Sequence, residues 1–450
     1  MDRKGLLEWF SFIEKKNDLT SLKYRGIDLW PIIKCDLFFL WHNSLQSNQK
    51  NAIDKKSMKF SVKNIFLDFF NLILKRKKIF RLFAGFSAHR SIINNVYVSK
   101  FFESIFSSSN DYVQIEYGNR MMNMNYSHEE KTLFIEKFLG LIRFLGLFKK
   151  RKVINDKIFN NIIDQFNDCV IPVSDNDITR LKSKIHLIYL YSIFYSLIIK
   201  LTNVKVAYIL CYYNVQMFGL IYALNKKGVI TYDVQHGSQG KLHPMYQFNL
   251  SNLKEGNFNT LPAKFWVWDT PSYNSLISWL PNDRKGDVEL NGNPWIDYSI
   301  SLYKDRYSQF FKDTKRIILI TLQESIINDI FLDLIDNLDQ EKFEWWIRFH
   351  PRMVEKKDYW KKYFLNKKIN NINIDFATEL PLPLILSYTF LHISRYSGSI
   401  IEGCHLNVKT FITDEIGIIT YEDYVDNVNV FDVSKYDDVN KIKELILELN

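Results

Sequence analysis

The chain has 450 residues, too many for one ordinary core and suited to two domains of roughly 200 residues each. Apolar residues make up 47% and charged residues 24%, a globular rather than disordered composition, and 16 glycines with 10 prolines exclude low-complexity architecture. Net charge is +9 but lopsided: residues 1–160 hold 28 Lys and Arg against 15 Asp and Glu, while the remainder is slightly acidic.

The chain opens on a charged stretch, MDRKGLLEWFSFIEKK, unlike a signal peptide. Cys35, Cys169, Cys211 and Cys404 form no CxxC pair, which suits a reduced compartment. A cytoplasmic protein is expected. Residues 1–160 read as helical and basic, with YVQIEYG (112–118) a candidate strand. Two tetrads, Lys75–Lys78 and Lys149–Lys152, each follow an apolar helix-like run. A basic cluster behind an apolar helix suits anionic lipid headgroups, so peripheral contact with the inner face of the membrane is expected. The competing reading is cations at helix ends facing water. Nucleic acid is not expected as a partner, because no recognition-helix, zinc-finger or RNP pattern accompanies the charge.

No internal repeat of 20–50 residues is visible. The apolar run Ile185–Leu201 carries His186 and Lys200 and reads as a buried helix of the first domain rather than a membrane span. From about residue 200, continuous apolar runs alternate with helix-length segments. The predicted strands are 204–210, 228–234, 263–269, 287–292, 316–322, 343–349, 372–377, 389–394 and 408–414, and the last stretch, VNKIKELILELN, reads as a helix. Continuous rather than alternating hydrophobicity marks strands buried on both faces, as in parallel sheets. The expected fold class is α/β, two Rossmann-like domains facing across a cleft, with ligands at the carboxyl ends of the strands. Turn residues cluster at 280–295, which places an acceptor-side domain at 1–285 and a nucleotide-binding domain at 286–450.

Three polar groups fall at predicted strand ends. Asp233-Val234-Gln235-His236-Gly237-Ser238, with Lys241 nearby, ends the strand at 228–234. His236 and Asp233 are the side chains suited to removing a proton from an attacking hydroxyl, and the glycines permit close approach of a ligand. Arg348-Phe349-His350-Pro351 ends the strand at 343–349, and its cations could offset a phosphate leaving group. Ser394-Arg395-Tyr396-Ser397-Gly398-Ser399 precedes a helix that carries Glu402. Hydroxyls, an arginine and free amides there make an anion site. Ser399-x-x-Glu402 also fits a purely structural capping box. Trp266, Trp268, Trp345 and Trp346 sit within strands and read as core. No Asp-x-Asp ends a strand and no His or Cys sits at ligand spacing, so neither a metal nor another cofactor is expected.

These three groups in this order resemble the GT-B glycosyltransferases of bacterial capsule and lipopolysaccharide assembly. Among them, the CMP-sugar-using sialyl-, polysialyl- and Kdo transferases carry an acidic residue before a glycine and a His-Pro motif, similar to Asp233 with Gly237 and to His350-Pro351. The CDP-glycerol phosphotransferases of teichoic acid synthesis carry a His-Gly motif similar to Gln235-His236-Gly237 with Lys241. Both use a serine-rich turn similar to Ser397-Gly398-Ser399 for donor phosphate. The resemblance spans roughly residues 204–415, and Asp233 stands four residues before Gly237 rather than two. It implies a metal-independent transfer from a nucleotide-sugar donor, a CMP-sugar first, to a hydroxyl of a lipid-linked or polysaccharide acceptor such as O-antigen or capsule. His236 and Asp233 would be catalytic. Arg348, His350, Ser394, Arg395, Ser397, Gly398, Ser399 and Glu402 would bind the donor, and Gln235, Gly237, Ser238 and Lys241 would form an acceptor-side loop. A CDP-alditol phosphotransferase and a non-catalytic nucleotide-sugar or glycan-binding protein are the alternatives.

Overall fold

A computed structural model describes residues 1–45, 79–93, 96–106, 111–118, 125–147, 157–249, 257–311, 315–323, 327, 329–425 and 429–449. Both basic tetrads lie outside these residues. The chain divides into two compact units. The first comprises Met1–Arg90 and Ile105–Gly292, and the second comprises Ser91–Ser104 and Asn293–Asn450.

The first unit is built on a seven-stranded sheet whose pairings are all parallel. Its strands are β1 (Arg81–Phe86), β2 (Tyr112–Tyr117), β3 (Thr132–Phe134), β4 (Val206–Leu210), β5 (Ile230–Val234), β6 (Lys264–Val267) and β7 (Val288–Leu290). Their spatial order is β3-β2-β1-β4-β5-β6-β7. Three of these strands fall within residues 1–160, where the sequence suggested one; among the described residues of that region helix still outweighs strand. The other two escape notice for a local reason: RLFAGF and TLF are too short for a period-two signal to stand out beside long apolar helices.

The helix α1 (Asp175–Leu201) contains the apolar run at 185–201. Ser174 and Asp177 form a reciprocal capping box at its start. Its inner face puts Leu181, Ile185, Ile188, Tyr191, Tyr195 and Ile198 into the core of the first unit. By length and composition it is the one described helix long and apolar enough to cross a membrane, and it is used here as a packing element of this unit. Gly219, on the helix α2 (Val215–Asn225), lets the two approach, since a Cβ there would lie 3.0 Å from the Ile188 carbonyl.

The second unit has a six-stranded parallel sheet: β8 (Arg316–Leu322), β9 (Phe343–Phe349), β10 (Ile372–Asn373), β11 (Thr389–Ser394), β12 (Lys409–Ile412) and β13 (Val430–Asp432). Its order is β10-β9-β8-β11-β12-β13. The strand expected at 372–377 stops at Asn373, whose side chain accepts from the Phe376 amide at 3.1 Å and turns the chain into the short helix Asp375–Glu379. Trp345 and Trp346 are core, as the sequence suggests. From Ser91–Ser104, Ile93 and Val98 pack with Trp295, Tyr303 and Phe311.

Both units therefore share one topology. In chain order, the first and fourth strands lie side by side at the centre, with the second and third on one flank and the later strands on the other. The chain is α/β, with two Rossmann-like units of the GT-B kind. Connections leave the central pair in opposite directions, which opens a crevice at the carboxyl ends of those two strands in each sheet.

Candidate functional sites in the two units

In the first unit the central pair is β1 and β4. After β1 comes His89, and after β4 come Cys211, Tyr212, Tyr213 and Asn214. Cys211 adopts a left-handed φ of 54°. Asn214 caps α2 by accepting from the Met217 amide at 2.9 Å, while its Nδ2 donates to Tyr117 Oη at 2.8 Å. β5, next to β4, delivers His236. Its ring lies 5.5 Å from that of His89 and 6.2 Å from that of Tyr213, with Nε2 3.4 Å from Tyr213 Oη. His236 is half-buried. His89 and Tyr213 were not singled out in the sequence, because neither belongs to a motif; only the strand order brings them to His236.

The other residues of this group have different tasks. Asp233 is fully buried, so its carboxyl group is not placed to meet a substrate. Oδ2 accepts from Tyr246 Oη at 2.7 Å and Gln239 Nε2 at 3.0 Å. Burial pushes its pKa up to about 8, against the opposing effect of the Tyr246 hydrogen bond. These bonds anchor the loop to β5. Gln235 is also fully buried: Nε2 donates to Gly237 O at 3.0 Å and Ser272 Oγ at 2.9 Å, and Oε1 accepts from the Trp268 amide at 2.7 Å. It ties β5 to the residue after β6. Gly237 lacks a positive φ, and a Cβ there would meet nothing within 4 Å, so the chain's need for glycine at this position is not conformational. Ser238 accepts from the Gly240 amide at 3.4 Å, and Lys241 is exposed. His243 packs on Tyr213 and Tyr246, with ring separations of 5.0 and 4.8 Å, and burial holds its pKa down at about 3. It stays neutral.

In the second unit the central pair is β8 and β11, and the serine-rich turn follows β11 directly. Gln323, just past β8, accepts from the Tyr396 amide at 3.2 Å and donates to the Tyr396 carbonyl at 3.1 Å, locking the turn across the crevice. Thr321 Oγ1 lies 3.0 Å from Ser394 Oγ and 2.9 Å from Ser399 Oγ. Ser397 Oγ accepts from the Ser399 amide at 3.3 Å. The capping box is not formed. Gly398 is the residue before the helix, Ser399 turns to Thr321, and Glu402 is buried elsewhere.

The cations expected at this site are largely committed within the unit. Arg395 donates to Asp414 Oδ2 from Nη2 at 2.6 Å and Nε at 3.1 Å. Arg348 Nη1 donates to the carbonyls of Ala377 and Leu380, both at 2.7 Å, which fastens the helix Asp375–Glu379 to β9. Burial pushes Arg348 down to about 10, partly offset by the charge of Glu402. Burial likewise raises Glu402, which Lys100 and Arg348 oppose, and its Oε2 has no hydrogen-bond partner. Lys100, brought in by Ser91–Ser104, is depressed by burial and held up by Glu402. This Lys100–Arg348–Glu402 set was invisible in the sequence because Lys100 sits far upstream of both partners. His350 is half-buried at the end of β9, and its carbonyl accepts from the Met353 amide at 2.8 Å. Among the described residues no group of three His, Cys, Asp or Glu side chains gathers as metal ligands would.

No protein-family model matches the sequence, and no curated protein matches it. Solved structures do. The UDP-GlcNAc 2-epimerase from Neisseria meningitidis bound to UDP-GlcNAc is 15% identical, over 83% of this chain and 91% of that one, with a TM-score of 0.48. The Methanocaldococcus jannaschii UDP-GlcNAc 2-epimerase in complex with UDP-GlcNAc and UDP is 12% identical, over 83% and 92%, with a TM-score of 0.45. The wall teichoic acid polymerase TagF is 11% identical, over 86% and 88%, with a TM-score of 0.42.

Proposed function

We propose that the chain is a glycosyltransferase that moves a sugar from a nucleotide donor, a CMP-sugar first, to a hydroxyl of a growing bacterial surface polysaccharide. The observation that carries this reading is the serine turn at the carboxyl end of the central strand pair of the second unit. Hydroxyls and free amides at such a crevice suit a nucleotide phosphate. In this reading Ser397 and the turn amides hold the donor phosphate, and His350 and the net-positive Lys100–Arg348–Glu402 set offset its charge from nearby in the chain's fold. His236, supported by Tyr213, takes the proton of the acceptor hydroxyl. Charge offset by these side chains supplies what a metal would otherwise supply, so turnover is expected to persist in excess EDTA. The acceptor is lipid-linked or a polysaccharide, and the membrane contact rests on the basic N-terminal third.

Thermal shift against CMP, CDP, UDP, GDP and dTDP tests the donor half. A ligand at about 100 times its dissociation constant should add ~2.7 kcal/mol of stability. Absence of a shift with every nucleotide would remove the donor site. Multiple-turnover release of free nucleotide in the presence of acceptor separates an enzyme from a nucleotide-sugar-binding protein.

A further inference from the structure

At the start of the helix Arg3–Lys16 in the first unit stands an arginine that the reading above leaves unused. Arg3 is half-buried, with its Cζ 5.4 Å from the centroid of the Phe38 ring. Its Nε is buried without a hydrogen-bond partner, and among the described residues no carboxylate pairs with the guanidinium. Burial lowers its pKa, and no acidic group opposes the shift. A desolvated cation without a counter-charge is costly, which implies an anion that these residues do not supply.

The helix Trp30–Leu45 sets what lies around Arg3. Cys35, Phe38 and His42 share one of its faces, at i, i+3 and i+7. Cys35 Sγ donates to the Tyr213 carbonyl at 3.3 Å, and Phe38 stacks on His42 with ring centroids 6.0 Å apart. Arg3, over Phe38, therefore sits beside the residues that follow β4. The Tyr213 ring lies 5.0 Å from that of His243 and 6.2 Å from that of His236. The positive charge of Arg3 reaches this group. Desolvation lowers both His42 and His243, Arg3 lowers both further, and His236 adds to the effect on His243.

His243 is a second donor here. The Met245 amide donates to its Nδ1 at 3.3 Å, so the neutral ring carries its proton on Nε2. Among the described residues nothing accepts that proton. Arg3 and His243 are thus two donors without an acceptor, within electrostatic reach of each other. An oxyanion, accepting from a guanidinium edge and an imidazole N–H, would satisfy both and offset the Arg3 charge. We propose that Arg3 and His243 form an oxyanion subsite beside His236, and that the acceptor is itself anionic: a phosphate or carboxylate on it is held here while its hydroxyl meets His236. The inference rests on reading the first unit as the acceptor side.

The test is calorimetric titration of the full chain, saturated with the nucleotide it binds best so that the donor site is filled. Inorganic pyrophosphate and glucuronate are titrated separately, and the unsubstituted chain should bind at least one. Preference for pyrophosphate names a phosphate-bearing acceptor, and preference for glucuronate a carboxylate-bearing one. Arg3→Gln should weaken the bound anion roughly tenfold or more, with nucleotide affinity unchanged. His243→Asn keeps an acceptor for the Met245 amide and removes the Nε2 donor, so it should weaken the anion by a smaller factor. The melting temperature of unliganded Arg3→Gln should hold or rise, because a cation without a counter-charge is removed. A fall with anion binding intact would mean that Arg3 serves packing alone and overturn the inference. So would failure of the saturated chain to bind either anion, or equal anion affinity in all three chains. If the unsubstituted chain binds no nucleotide, the donor-site reading fails by itself. Anion binding that Arg3→Gln removes would then still uphold the subsite, and its absence would overturn it.

Discussion

The phenol of Tyr246 lies 2.7 Å from Oδ2 of Asp233, so the loop carrying His236 is folded back onto the strand that launches it. Gln239 adds a second donor at 3.0 Å, and the Tyr212 hydroxyl donates to the Met245 carbonyl just before Tyr246. This buried acid, accepting from Tyr246 and Gln239, holds the loop at both ends. The loop end is tied down further by Glu14, which accepts from the Asn249 amide at 2.7 Å and pairs with the buried Lys34 at 2.8 Å. The loop carrying His236 is thereby held by buried residues on its inner side.

The first prediction follows from the Asp233 pKa, which burial raises to about 8. The unfolded value is about 4. Between those values the folded chain keeps a proton that the unfolded chain releases, so this group's stabilising contribution is complete below about 4 and is lost as pH rises to about 8. The loss runs at up to about 1.4 kcal/mol per pH unit. Asp233→Asn removes the titration, and Gln239 Oε1, which lacks a partner, can accept the new amide proton. Urea denaturation should show the variant more stable than the parent at pH 8, with the gap closing near pH 4. A gap that is constant with pH would rule out a protonated Asp233.

Arg348 gives the second prediction. Its guanidinium holds two carbonyls, those of Ala377 and Leu380, and offsets the buried charge of Glu402. Arg348→Met should cost about 3–5 kcal/mol, because it leaves a buried carboxylate less compensated and two acceptors empty. Glu402→Gln in the same chain should recover part of that loss, as coupled sites do. Additive losses in the double variant would show that the two charges do not interact.

Much of this architecture was legible from residue 200 onward. Runs such as RIILITL and FEWWIRF are apolar throughout, and only a strand covered on both faces needs that pattern. What the sequence could not carry was commitment. Arg348 and Arg395 read as phosphate ligands because an arginine at a strand end looks the same whether it faces a ligand or a carbonyl. The helix Asp375–Glu379 and Asp414, which claim them, are set by tertiary packing. Asp233 shows a related limit: in ITYDV the acid could point into the loop or beneath it, and only the structure shows it bonded to Tyr246. His89 and Tyr213 needed the strand order itself, since β1 and β4 become neighbours only once β2 and β3 have crossed to the other flank.

The third prediction concerns the tetrads Lys75–Lys78 and Lys149–Lys152, both outside the described residues. If they meet anionic headgroups, the chain should float with phosphatidylglycerol-containing vesicles and less with pure phosphatidylcholine. High salt should release it, since surface attraction is screened over ~10 Å at 0.1 M ionic strength. Replacing either tetrad by glutamines should lower the bound fraction. Equal recovery with both vesicle types would return these lysines to a solvated surface.

The last prediction separates the chemistry of the first unit from binding in the second. His236 is half-buried and lies 3.4 Å from Tyr213 Oη, while desolvation holds His243 neutral. If His236 takes the acceptor proton, His236→Ala should cut turnover by roughly 10²–10⁴ with nucleotide affinity unchanged, because in this reading it does not meet the donor. Tyr213→Phe keeps the ring that packs on His236 and His243 and removes only the hydroxyl, so its loss should be smaller and accompanied by a shift in the pH profile of turnover. His350→Ala should instead weaken nucleotide binding along with rate, by the roughly 1–3 kcal/mol of a charge-assisted contact. Calorimetry with the preferred nucleotide, run beside a turnover assay, distinguishes these outcomes. Loss of nucleotide binding in His236→Ala with none in His350→Ala would exchange the roles of the two units. Full turnover in both variants would move the chemistry away from His236 and His350 altogether.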